Sequence, residues 1–316
     1  MRKMCSGIGI ALLAAVAPMA ASAQELIIEH VPAPAKAVQM MERVNAKLEA
    51  GGSDVRLSEA SFFTVGQGTS SARVLRIGTR WPYEQLTYVL DASGFTADVP
   101  AADTEGALVS SFESWNNVNN TTVNVSRIAD DGGNFDILDA VVLDAAGNCV
   151  DIYDVTSPNL IGFSPTGGVF IEPEADIVVG GWLPASYFAN CLGSANIIGI
   201  TWTFSVPDQD GDNYRDTVYV EQFYNEGFQF VTNGAAYLNF NLMDIESIAV
   251  HENGHALGLD HFGGPNTNQP FRLQPNGKVY DPEAVMNPAY LGGTAKRTPL
   301  PTDEAGLRTL FGRKGN

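Results

Sequence analysis

Basic residues, cysteine and histidine are all scarce in this chain, and each scarcity narrows what it can do. Eighteen Lys and Arg stand against 36 Asp and Glu, a formal net charge of -18 over 316 residues. A phosphate backbone is bound by a basic face, so nucleic acid is excluded as a partner. The surplus of acid suits a protein kept soluble by its charge, and it leaves carboxylates free for a divalent cation. Three cysteines are too few for a disulfide-built scaffold. Beyond residues 8–17 no segment is long and apolar enough to span a bilayer, and that run is itself short of the ~20 residues a membrane helix needs. There is no internal repeat and no low-complexity tract. Of four histidines, three fall between residues 251 and 261.

Arg2 and Lys3 precede the apolar run, and Ala21-Ser22-Ala23 follows it as a small-x-small cleavage pattern. Residues 1–23 therefore read as a secretory signal peptide, with Gln24 as the mature start. Export to an extracellular or periplasmic compartment follows, with no membrane association after cleavage. Cys5 precedes the apolar run, which argues against a lipoprotein, and it leaves with the signal. Cys149 and Cys191 remain. In an oxidising compartment they pair most simply as one disulfide; the alternative is two buried free thiols.

Residues 24–80 carry the weakest pattern. Ala35 to Ala50 reads as an amphipathic helix with Val38, Met41, Val44 and Leu48 on one stripe, stopped by Gly51-Gly52. The segment reads as a propeptide, or else as an N-terminal extension packed on the main domain. From Trp81 the pattern becomes regular. Strands are expected at 85–91, 121–128, 137–143, 175–179, 197–206 and 216–224. A helix is expected from Pro100 to about Asn117, with Leu108, Phe112 and Trp115 on one face. The strand at 216–224 interleaves polar residues, as an exposed edge does, and is expected to receive an extended peptide. Asp244 caps a helix over 245–257, and Thr302 caps a last one ending before Gly312.

Residues 251–261 read His-Glu-x-x-His-x-x-Gly-x-x-His. Positions i and i+4 share a helix face, so His251 and His255 point the same way and supply half of a tetrahedral zinc site. Gly258, one turn on, can end the helix in a left-handed conformation and let the chain double back. That return brings His261 to the same metal. Glu252 is spaced to act on a metal-bound water rather than to bind the metal. A second stretch suits calcium, which takes six to eight oxygen ligands. Asp208, Asp210, Asp212 and Asp216 supply carboxylates, Tyr214 its backbone carbonyl, and Asn213 tolerates a left-handed turn. The stretch is similar to Asp-x-Asp-x-Asp-Gly-x-x-Asp calcium loops, and it has no Glu at the twelfth place of an EF-hand.

Taken together these segments resemble the matrixins, a family within the metzincin clan of zinc endopeptidases. The likeness is carried by His251 to His261, by Ala284-Val285-Met286-Asn287-Pro288, by Asp303-Glu304-Ala305-Gly306-Leu307, and by Arg80-Trp81 with Leu86-Thr87-Tyr88-Val89. It covers roughly residues 80–312. The resemblance implies an α/β (α+β) catalytic domain over 81–312, with a mixed twisted sheet of about five strands, a backing helix and an active-site helix. It implies that Met286 lies under the zinc site as a Met-turn. Pro288 stands where related families place a zinc-binding tyrosine, so three histidines form the whole protein ligand set. The activity implied is peptide-bond hydrolysis by a monomer acting on protein or peptide substrates, with Glu252 as general base for a zinc-bound water. Residues 287–300 would line the pocket beyond the scissile bond.

The chain departs from the family at Asn253, where an apolar residue is usual, and at Phe262, where a serine is typical. It has no cysteine with which a propeptide could silence the zinc, so a carboxylate such as Asp54 or Glu59 would have to reach the metal. A second reading, of another class, is a zinc-bearing extracellular binding or adhesion protein whose hydrolysis is vestigial.

Overall fold

The computed structural model describes residues 34–50, 52–65, 79–130, 142–143, 149–151, 175–232, 242–261, 272–273, 279–280, 284–290 and 295–312. The expected signal peptide, most of the strand expected at 137–143 and part of the expected pocket wall at 287–300 lie outside them. Eight strands form one mixed sheet: β1 Arg56–Val65, β2 Thr79–Arg80, β3 Gln85–Leu90, β4 Asn124–Arg127, β5 Ile177–Leu183, β6 Ile197–Val206, β7 Arg215–Asn225 and β8 Ala289–Tyr290. Their order is β8-β1-β6-β7-β5-β3-β4, with β2 beside β7. Only β6 runs antiparallel to its neighbours; the other pairings are parallel. Four α-helices accompany the sheet: α1 Ala35–Ala50, α2 Ala101–Asn116, α3 Ile245–Ala256 and α4 Pro301–Phe311.

Strand alternation sorts the apolar residues into two cores. Tyr88, Ile177, Val179, Val220 and Tyr224 face one side, where they meet Phe112 and Trp115 of α2, Ile248 of α3 and Leu307 of α4. Val89, Val178, Ile200, Trp202, Phe204 and Phe223 face the other, where α1 and a π-helical segment, Tyr187–Leu192, cover them. A sheet buried on both faces reads as near-continuous apolar strands, and β5 and β6 show that character. On the second face Cys149 and Cys191 are joined in a disulfide with their Cα atoms 5.5 Å apart. Among the described residues no helix is long and apolar enough to cross a membrane.

Three expectations change. The sheet has eight strands rather than five, because β1 from the N-terminal segment and the short β2 and β8 join the five that lie between Gln85 and Asn225. β7 is no edge: β6 and β5 flank it, and its interleaved Thr217, Glu221 and Gln222 are buried. Polar residues inside a two-sided sheet mimicked the alternation of an edge strand. The buried stripe of α1 is Ala37, Met40, Val44 and Leu48, one position away from Val38 and Met41. Residues 34–65 thus supply a helix and an interior strand to the same body.

Two tryptophans fix α3. The Trp115 indole donates from Nε1 to the Val250 carbonyl at 2.8 Å, and Trp81 Nε1 donates to the Ala256 carbonyl at 2.7 Å. Both rings are buried. Trp115→Phe should lower the unfolding free energy by about 2–3 kcal/mol, through a lost buried hydrogen bond and a partly filled gap. A shift of the urea midpoint checks this; an unchanged midpoint would remove Trp115 as an anchor of α3.

Candidate metal centre

Asp244 starts α3, accepting hydrogen bonds at Oδ2 from the Ser247 amide (3.0 Å) and hydroxyl (2.6 Å). Arg297 grips the same carboxylate at 2.5 and 2.9 Å. At the other end Gly258 takes φ +94°, and the Leu259 amide donates back to the Gly254 carbonyl at 2.9 Å. The left-handed residue reverses the chain as the motif spacing requires. The reversal aims the Leu259 carbonyl at His255 Nδ1, 2.7 Å away, while the Val285 carbonyl lies 2.7 Å from His251 Nδ1. A carbonyl only accepts, so both Nδ1 atoms carry the proton and both Nε2 atoms present lone pairs.

Those lone pairs converge. His255 Nε2 lies 3.0 Å from His251 Nε2 and 3.2 Å from His261 Nε2. The three rings are buried. Burial, and then the neighbouring imidazoles, push His251 well below its ordinary pKa and His255 down to about 3, so both are neutral at pH 7. The His251 and His255 Nε2 atoms, neutral and with no proton between them, repel unless a cation sits beside them. Tetrahedral zinc with bonds of about 2.0–2.1 Å asks for nitrogens roughly 3.3 Å apart, close to the spacings here. The group His251, His255, His261 can therefore hold a metal ion.

Glu252 is fully buried, next to the first histidine. Its Oε2 accepts from the Thr201 hydroxyl at 2.6 Å, and its Oε1 has no hydrogen-bond partner among the described residues. Burial raises its carboxyl to about 8 against the opposing Thr201 bond. Gly199 makes the room: a Cβ there would lie 2.6 Å from Glu252 Oε1. Met286 is buried beneath α3, and a Cβ on Gly254 would lie 2.2 Å from its sulfur. Asn253, the departure from the expected apolar residue, donates to the Ser111 hydroxyl of α2 at 2.7 Å.

Asp303 was visible in sequence only as part of an acidic pair in the first turn of α4. In the structure it is fully buried and accepts from the Val285, Met286 and Leu300 amides at 3.0, 3.1 and 2.8 Å. It thereby fixes the turn whose Val285 carbonyl orients His251. Thr201 was missed altogether. Its signal lay in β6, where Gly199, Thr201, Thr203 and Ser205 alternate with Ile200, Trp202 and Phe204, giving one polar face.

The acidic loop is partly gathered. Asp208, Asp210 and Asp216 each bring an oxygen within 4.8 Å of the others. Asp212 does not join them; its Oδ2 pairs with Arg80 at 3.1 Å and its Oδ1 accepts from the Tyr214 amide. A cation on the neighbouring strand competed for that carboxylate, which the loop sequence alone could not reveal. Asn213 and Gly211 have φ of +70° and +82°, the left-handed turn expected of Asn213 included. Backbone amides, led by that of Gly211, hold Asp208 below its ordinary pKa, whereas burial and then the nearby Asp210, Asp208 and Asp212 raise Asp216.

Asp303→Asn should reduce metal affinity about 10-fold or more by loosening the turn behind His251, with a loss of about 1–3 kcal/mol in stability. Competition with a chromogenic chelator reads the first and urea unfolding the second; unchanged affinity would mean that Asp303 serves the fold alone. No family model matches the chain and no curated protein matches it, so the functional conclusion rests on this geometry.

Proposed function

We propose that the protein is a secreted, matrixin-like zinc endopeptidase acting on protein or peptide substrates. The observation that carries this is the convergence of three buried imidazole Nε2 atoms, two of them proton-free, beside a buried carboxylate with one unpartnered oxygen. The mixed sheet, with α2 and α3 packed on one face, and Met286 buried beneath α3 support the family reading. When bound, zinc supplies a Lewis acid with an open coordination position that acidifies water.

The chain's own groups do the rest. His251 and His255 keep Nδ1 protonated against the Val285 and Leu259 carbonyls, which holds Nε2 free and aimed. Thr201 pins Glu252 Oε2, leaving Oε1 as the atom that takes a proton from water and later passes it to the departing amine. Met286 and Trp115 shut solvent out beneath α3.

Cleavage of casein should be abolished by 1,10-phenanthroline. Glu252→Ala should keep one zinc per chain by elemental analysis yet lose at least about 100-fold in cleavage rate, while His255→Ala should lose the zinc. Full activity in Glu252→Ala would refute the general base. A zinc-loaded wild type that cleaves nothing in any form would favour the binding-protein reading.

The Asp208 to Asp216 loop is read as a calcium site built on Asp208, Asp210, Asp216 and the Tyr214 carbonyl, with Asp212 held by Arg80. EGTA should lower the melting temperature of the wild type and leave Asp210→Ala unmoved. A wild-type melt insensitive to EGTA would remove the site.

A further inference from the structure

β1 lies where a peptide would have to lie. On one side it pairs antiparallel with β6 from Arg56↔Ser205 to Thr64↔Ile197. On the other, Thr64 and Val65 pair parallel with Ala289 and Tyr290 of β8, just after the Met286 turn. The Thr64 amide donates to the Pro288 carbonyl at 3.3 Å. The two walls close on β1 at the metal centre. Phe63 stacks on His251 with ring centroids 3.8 Å apart and planes at 10°, and Tyr290 meets it edge-on at 5.7 Å. Its partner across the ladder is Gly199, the residue that makes room for Glu252. The ladder slips register between Phe63 and Thr64, beside that carboxylate.

We propose, resting on the peptidase reading, that β1 is a built-in occupant of the substrate groove. The groove takes an extended peptide antiparallel to β6 with an aromatic side chain in the place of Phe63. The strand silences the site by filling it, and ligates nothing. The histidines gather no carboxylate from β1, so neither Asp54 nor Glu59 acts as the missing switch; Glu59 pairs opposite Thr203, away from Gly199. What shields His251 is a hydrocarbon ring. Without β1 the antiparallel edge of β6 is open, and main-chain hydrogen bonds along it bind a peptide of many sequences while the pocket at Phe63 selects one side chain.

Asn45 of α1 clasps β1 through Leu57, accepting from its amide at 2.7 Å and donating to its carbonyl at 2.9 Å. α1 and β1 are thus tied together as one helix–strand unit.

The test uses the full zinc-loaded chain carrying Glu252→Gln, so that binding is read without cleavage, and a fluorescent peptide with the sequence of residues 56–65. Phe63→Ala should bind this peptide at least 10-fold more tightly than the chain with Phe63 intact, and a peptide with alanine in the Phe63 place should lose that gain. Equal affinity for both chains would overturn the proposal. If Phe63→Ala fails to fold, hydrogen exchange of the wild type decides. Amides of residues 59–65 exchanging ahead of β7 support a detachable strand; exchange only together with β7 overturns it. Peptide binding that depends on Phe63, with no casein cleavage by the zinc-loaded Phe63→Ala chain in which Glu252 is intact, would retain the groove and sink the peptidase. Casein cleavage with no such dependence would do the reverse.

Discussion

Three imidazoles are held in a buried space with their Nε2 atoms converging, two of them uncharged and proton-free at Nε2, and much of the surrounding structure answers to that crowding. Without fixed carbonyls at Nδ1 the rings would turn or take up protons. The Leu259 carbonyl reaches His255 only because Gly258 reverses the chain. The Val285 carbonyl reaches His251 only because Asp303 ties down the turn from α4. α3 itself is held by two indoles and by Arg297 on its capping carboxylate. None of these groups belongs to the histidine trio, and each helps to fix how its rings are aimed. Outer-shell partners of this kind are what give a metal site its geometry.

The site was far more legible in the sequence than its setting. His251, Glu252, His255, Gly258 and His261 could be placed because helix periodicity and the special freedom of glycine are local rules. α1 and β6 could be placed with their observed bounds for the same reason. What could not be read were partnerships made across the fold. Thr201 looks like any strand threonine until Glu252 is known to lie against it. Asp212 looks like a cation ligand until Arg80 is known to lie beside it. β7 shows the failure most clearly, since polar residues buried between two helical layers have the same alternation as residues facing water. β1 is not legible as a strand of the sheet, and its segment reads equally as a propeptide or a packed extension, because nothing within residues 56–65 announces partners so far along the chain.

The sheet divides the molecule into two unlike halves. One face packs against α2, α3 and α4 and carries the histidine group. The other packs against α1 and the π-helical segment and contains no member of the histidine group. β6 serves both, with Gly199 and Thr201 turned to Glu252 and Ile200, Trp202 and Phe204 turned to the opposite core. Its small residues are therefore as constrained as its aromatic ones: the former by a carboxylate, the latter by packing density.

The placing of β1 also sets an order of assembly. Ser58 bonds across to a residue 145 positions later, and Thr64 to one 224 positions later. Contacts this distant in sequence incur a large loop-closure entropy before they return anything, so they form late. During synthesis the first strand of the sheet must wait, unpaired, until its last strand has been made. The helix that precedes it can form at once from local contacts and carry the strand in. The part of the chain translated earliest is then among the last to be fixed in the folded protein.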